Sequence, residues 1–159
     1  MEILLIQFLV FVAYVSYIIN QYGILPSISD SWYALPRRYN FLFTLFTWGI
    51  GIPMLFYGNA PLFFAGAGLT FVGAATQFKM ERSYTKQVHF AGAGIGIIIP
   101  LLYLAISFGN WIPLVIQVIG TLIITQSKIN NKLWWVEILA FICIMFGLYF
   151  NLYDIILDI

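Results

Sequence analysis

"VHFAGAGIGIIIPLLYLAISF", residues 88–108, runs without an acid, a lysine or an arginine, and holds one ionisable group, His89, at its start. A helix needs roughly 20 mainly apolar residues to cross about 30 Å of hydrocarbon, and this run meets that length. Five further stretches of the same kind flank it, at about 3–22, 41–57, 60–78, 111–127 and 133–153, each read by the same criterion. Across the chain 62% of residues are hydrophobic, 19% aromatic and only 8% charged, a composition far outside that of a water-soluble globule. The expectation is an all-α, polytopic transmembrane helical bundle of six spans, with residues 1–159 forming a single transmembrane domain.

Helices are expected rather than barrel strands because the runs are continuously apolar, whereas barrel strands alternate lipid-facing and lumen-facing residues. In hydrocarbon every backbone amide needs a partner, and a helix supplies its own. The first run begins Met1-Glu2-Ile3 with no basic region and ends without a small-residue cleavage site, so it reads as a retained span. Cys143 has no second cysteine to pair with, which excludes a disulfide framework within one subunit and leaves a small buried hydrophobe.

With six spans, the segments after the first, third and fifth lie on one side. All seven basic residues fall there: Arg37 and Arg38, then Lys79, Arg82 and Lys86, then Lys128 and Lys132. The other side carries Gly58-Asn59, Gly109-Asn110 and the termini with Glu2, Asp154 and Asp158. The positive-inside rule places the basic loops in the cytoplasm and both termini on the extracytoplasmic side. Trp32, Tyr33, Tyr39, Tyr84, Trp134 and Trp135 are expected at the basic boundary, Tyr57, Trp111, Tyr149 and Tyr153 at the other, and Trp48 between helices.

Two hairpins look alike. "GIGIPMLFYGNAPL" (49–62) resembles "GIIIPLLYLAISFGNWIPL" (96–114), and "TQFK" (76–79) resembles "TQSK" (125–128). Both copies cross in the same direction, so a duplication would be a parallel repeat; chance similarity between apolar hairpins stays open beside it. Small residues gather in "AGAGLTFVGAA" (65–75) and in "AGAGIG" (91–96), where Gly92 and Gly96 form a GxxxG pair. That predicts the closest helix packing between these two segments.

The scarce ionisable groups near the spans, Asp30, Glu81, Arg82, His89 and Glu137, all belong to the basic end. In "ILPSISDSWYALPRR" (24–38), Pro26 stops one helix, Ser29, Asp30 or Ser31 can cap a short interfacial one, and Pro36 limits it. His89 opens its span at a depth where an imidazole is partly desolvated. Glu137 lies one turn into the last helix, where an acid is costly and faces a partner or the bundle interior. An ion pair of Glu137 with Lys132, Arg82 or His89, a loop hydrogen bond for His89, and a cap role for Asp30 are the structural alternatives to catalysis.

If Asp30, His89 and Glu137 converge, they form a catalytic set able to deprotonate a water or hydroxyl, with Arg37, Arg38 and Arg82 holding a phosphate head group. The same groups also suit head-group binding without reaction. One histidine is too few for a zinc hydrolase of the ceramidase and adiponectin-receptor type, so no metal is expected. There is no GxSxG elbow, no nucleotide loop and no intramembrane lysine for retinal, and neither a cofactor nor a nucleic-acid partner is expected.

Pro26, Ile28, Ser29 and Asp30, together with His89, Gly92 and Ala93, resemble the pattern of the six-span DRAM/Frag/Sfk-type membrane proteins, over about the first four spans. The chain is also similar to small membrane proteins of bacteria and their phages. The first resemblance implies work on membrane lipids, including remodelling of lipid anchors, or regulation without catalysis. That family carries the motif loop on the lumenal side, whereas the arginines here favour the cytoplasm.

The leading expectation is a small integral membrane protein of a bacterial plasma (inner) membrane that binds or modifies lipid head groups at its basic face. The alternative is a non-enzymatic protein, phage-derived, that pairs its helices with another membrane protein or with itself as a homo-oligomer. A small-solute transporter ranks third, since mid-bilayer positions carry few polar residues.

Overall fold

The computed structural model describes residues 2–79 and 84–157, the last six through their backbone alone. Among the described residues the chain is all-helical. The helices are α1 (Glu2–Tyr22), α2 (Ser31–Ala34), α3 (Phe41–Leu55), α4 (Ala60–Ala74), α5 (Tyr84–Ser107), α6 (Ile112–Gln126) and α7 (Lys132–Leu157), with a 3-10 turn at Arg37–Tyr39. Each of the six apolar runs thus forms one helix, and α2 is the short helix expected after Pro26.

Three helices, α1, α5 and α7, are long and apolar enough to cross a membrane. The other three, α3, α4 and α6, have 15 residues each. Sequence punctuation shortens them. Gly58, at φ 76°, turns the chain after α3, and Asn59 caps α4 by accepting from the Leu62 amide at 2.9 Å. Gly109, at φ 67°, makes a similar turn before α6, where Asn110 accepts from the Ile112 amide at 3.3 Å, but the capping position there is Trp111 and it makes no side-chain cap bond. The other end of α4 stops at Ala74, four residues short of the expected 78.

Helices α1, α3, α4, α5 and α7 touch in that order and α7 closes back on α1, while α6 packs outside the ring on α5 and α7. Phe11, Phe43, Phe46, Leu69, Leu104 and Leu148 fill the interior. Large apolar side chains also cover the outer faces of α1, α5, α6 and α7. A helix apolar all round suits burial in protein or in lipid, not a water-facing position.

The expected close packing is present and extends further than the GxxxG pair. A Cβ built on Gly68 would stand 2.6 Å from the Gly92 carbonyl and 3.0 Å from the Gly96 amide. On the α3 side, one on Gly51 would stand 2.8 Å from the Gly66 carbonyl. Glycine therefore sets the backbone separation on both flanks of α4. The two similar hairpins differ here: α3 lies close along α4, while α6 leans away from α5 and sets Gly120 against Leu139 of α7.

Two tryptophans depart from expectation. Trp48 is 39% exposed and not enclosed between helices, because its indole donates to the Thr70 carbonyl at 3.1 Å along the outside of the α3–α4 pair. Trp134, expected at the boundary, is 0% exposed: its backbone amide donates to the Pro26 carbonyl at 3.2 Å, and the first loop covers it.

Gly92→Ala should lower stability by about 1–3 kcal/mol through overpacking, since the carbonyl it meets belongs to backbone. Gly94, where an added Cβ meets nothing within 4 Å, is the internal control. Gly94→Ala should be neutral or gain about 0.5–1 kcal/mol. Thermal unfolding of both variants in detergent checks the contrast.

Candidate functional site

The loop between α1 and α3 is held across one end of the ring by side chains from α1, α5 and α7. Tyr14 of α1 lies 2.6 Å from the Ser31 hydroxyl, and Ser31 donates at 2.5 Å to the Ile28 carbonyl, so Tyr14 is the donor to Ser31. From α7, Glu137 accepts the Ile28 amide at 2.5 Å. Asn131, at the start of α7, donates to the Ile24 carbonyl at 2.6 Å.

His89 of α5 is 2% exposed and bonded through both nitrogens. Its Nδ1 lies 3.0 Å from the Ala75 carbonyl and its Nε2 lies 3.1 Å from the Ser29 hydroxyl. A carbonyl only accepts, so Nδ1 carries the proton; in the neutral ring Nε2 then presents a lone pair to Ser29. The early end of α4 is what frees that carbonyl, because Ala75 lies outside the helix. Phe78 stacks on the imidazole with centroids 4.2 Å apart, and Phe43 flanks it at 6.5 Å.

Asp30 occupies the position before α2, yet its side chain makes no cap hydrogen bond. The carboxylate instead accepts from Ser27 Oγ at 3.1 Å and forms an ion pair with Lys79 Nζ at 2.5 Å. Lys79 also lies over the Tyr33 ring at 4.9 Å, and its backbone amide donates to the Tyr33 hydroxyl at 2.9 Å. Among the described residues Glu137 forms no ion pair with Lys132 or His89, and the third expected partner, Arg82, lies outside them: one carboxylate oxygen accepts the Ile28 amide, and Lys132 donates to the Thr125 carbonyl at 2.6 Å.

The three catalytic candidates, Asp30, His89 and Glu137, thus reach one loop. Asp30 belongs to it, His89 bonds to Ser29 and Glu137 bonds to Ile28. Each engages a different loop residue. Of the three, Glu137 alone borders a small cavity of about 40 Å³, whose walls also include Ser29, Phe43, Val72, Ala93 and Ile97. Arg37 and Arg38 are exposed in the turn beyond α2, with the Arg38 guanidinium 4.7 Å from the Tyr39 ring centroid. Arg82 and Glu81 lie outside the described residues.

Sequence reasoning missed Ser27, Ser29 and Lys79 as members of this cluster. Ser29 was legible as a helix cap and as part of the resemblance pattern, Ser27 had no reading of its own, and Lys79 belonged to a basic loop. Nothing in their spacing signals that Ser29 meets a residue 60 positions away.

No protein-family model, curated protein or solved structure matches the chain.

Glu137→Ala removes the only acceptor of the Ile28 amide named above, and should cost about 1–3 kcal/mol, the usual penalty for a buried donor left unpaired. Glu137→Gln keeps an acceptor oxygen and should lose less than Glu137→Ala. Thermal unfolding in detergent ranks them; equal losses would mean that side-chain packing, not the hydrogen bond, secures the loop.

Proposed function

We propose that this chain is a small integral membrane protein that crosses the bilayer six times and binds or modifies membrane lipids at its basic end. The observation that carries this reading is the gathering of Ser29, Asp30, His89 and Glu137 around one loop at the end of an otherwise apolar bundle. In a chain with so few charges, polar side chains drawn to one loop at one end of the helices, two of which, Ser29 and Glu137, border a small cavity, suit a ligand that is polar at its head and apolar below.

The head-group role falls to Arg37, Arg38 and Arg82. Arg37 and Arg38 are exposed, adjacent and without a carboxylate partner among the described ion pairs, and a guanidinium grips a phosphate through two parallel hydrogen bonds. The resemblance of Pro26, Ile28, Ser29, Asp30 and His89 to the DRAM/Frag/Sfk-type pattern points the same way, toward membrane lipids as partners. The basic end faces the cytoplasm and both termini face outward, by the charge bias of the loops, which fits a bacterial plasma membrane. Helices α3, α4 and α6 each span about 22 Å, and cross by drawing flanking residues and a locally thinned bilayer around them.

The competing reading is a non-enzymatic protein acting by helix pairing with a membrane protein or a second copy. The feature favouring it is α6, where Pro113 and Gln117 alone are fully buried and Val115, Ile116, Val118, Ile119, Leu122 and Ile123 are exposed.

Two measurements test the proposal. Single cysteines in a Cys143→Ala background, placed at Gly109 and at Ile129, should react with a membrane-impermeant maleimide from opposite sides of sealed vesicles; labelling from the same side refutes the crossing pattern. Native mass spectrometry after partial delipidation should find retained anionic phospholipid. Arg37→Gln and Arg38→Gln should each weaken that retention by about fivefold, equivalent to about 1 kcal/mol per basic residue near a membrane surface. Retention that ignores both arginines defeats the head-group assignment.

A further inference from the structure

We propose that Ser29 is a nucleophile activated by His89, and that the pair transfers an acyl group from the ester of a membrane glycerolipid. This rests on the lipid-facing reading above and adds a reaction and a substrate class to it. Three observations support it.

The first is the direction of the hydrogen bonds. With Nδ1–H committed to the Ala75 carbonyl at 3.0 Å, the neutral imidazole has one orientation and one free lone pair, and that lone pair meets the Ser29 hydroxyl at 3.1 Å. A serine hydroxyl is a weak nucleophile until a base within hydrogen-bond reach takes its proton, and a base is effective when a third group fixes its ring. Phe78 and Phe43 further restrict the ring plane.

The second is access. Ser27, Ile28, Asp30 and Ser31 are buried, whereas Ser29 is only half-buried. Within the loop segment 27–31 it is therefore the residue an incoming group can reach. The third is the space beside it: Ser29 and Glu137 border the same cavity of about 40 Å³, whose other walls include Phe43, Val72, Ala93 and Ile97. Its apolar walls exclude bulk water beside the hydroxyl, and at about 40 Å³ it has room for the reacting carbonyl group alone, the rest of the lipid staying outside.

In the reaction, Ser29 Oγ attacks the ester carbonyl carbon as its proton passes to His89 Nε2. The tetrahedral intermediate collapses, the bond from that carbon to the glycerol oxygen breaks, and Nε2 returns the proton to that oxygen. Lysolipid leaves and the acyl group remains on Ser29. Water or the hydroxyl of a second lipid then loses its proton to Nε2 and attacks the acyl-serine; Ser29 Oγ leaves and regains its proton from Nε2. Glu137 is a positioning residue, since its bond to the Ile28 amide holds the backbone one residue before Ser29.

The test uses the full chain in phosphatidylglycerol–phosphatidylcholine vesicles treated with a fluorophosphonate probe. Wild-type protein should gain one adduct on the peptide containing Ser29, Ser29→Ala should gain none there, and His89→Gln should label at least about a hundredfold more slowly, the lower end of a general base's contribution. Ser29→Cys with Cys143→Ala covers a His89 variant that fails to fold. Its thiol, still beside His89, should react with iodoacetamide at a lower pH than an ordinary cysteine. Absence of the Ser29 adduct from wild type, equal labelling rates in wild type and folded His89→Gln, or an ordinary thiol profile each overturns the proposal. Anionic lipid retention by the same wild-type sample separates the two claims: retention without the adduct defeats acyl transfer alone, and retention insensitive to the arginines defeats the head-group reading as well.

Discussion

The peptide unit of Ile28 anchors the polar end of this protein. Its amide donates to Glu137 from α7 and its carbonyl accepts from Ser31, which Tyr14 of α1 holds in turn. In an apolar surrounding an unpaired peptide group costs several kcal/mol on the order of a lost hydrogen bond plus desolvation, so this loop lies across the bundle only because each exposed end of its backbone finds a side chain. Once Ile28 is held, Ser29 faces His89 on one side and Asp30 faces Lys79 on the other. The acid at position 137 serves as a backbone acceptor, and that role explains why a carboxylate is present near the start of an apolar helix.

That arrangement depends on how closely the helices beneath it approach. Glycines 51, 66, 68, 92 and 96 bring α3, α4 and α5 together at backbone contact, and this sets where His89 on α5 meets the segment leaving α4. The end of α4 at Ala74 then supplies the carbonyl that fixes the imidazole. Packing by small residues and tautomer selection are thus consecutive steps of one geometry: a wider α4–α5 separation would part Nδ1 from its acceptor and leave the ring free to turn.

The far end of the bundle shows the same economy with polar groups. Gln7, 2% exposed, donates to the Ile50 carbonyl at 2.6 Å and accepts from the Tyr57 hydroxyl at 3.1 Å, tying α1 to α3 near the Pro53 turn. Proline removes one amide from the helix, and nearby polar side chains are what such a helix needs in an apolar medium. The two ends differ in what they leave over. Gln7 spends its amide within the fold, while at the basic end Ser29 stays half-buried beside a cavity.

By itself the sequence determined the helical class, the six apolar runs, the short helix after Pro26, the Gly-Asn turns and the close α4–α5 contact, because these follow from local periodicity, backbone steric limits and the length of apolar segments. It also grouped the basic residues with Asp30, His89 and Glu137, since charge placement along an alternating chain is readable without coordinates. Partners were not readable. Asp30 looked like a helix cap and instead pairs with Lys79, Glu137 takes an amide and neither Lys132 nor His89, and Trp134 looked like a boundary residue and instead lies under the loop. Each depends on which helices adjoin around the ring and on how each helix is rotated about its axis, and those angles come from the packing of all the helices at once. Only the tertiary structure therefore decided that Ser29, which the sequence offered as a cap candidate, is the residue that meets the imidazole.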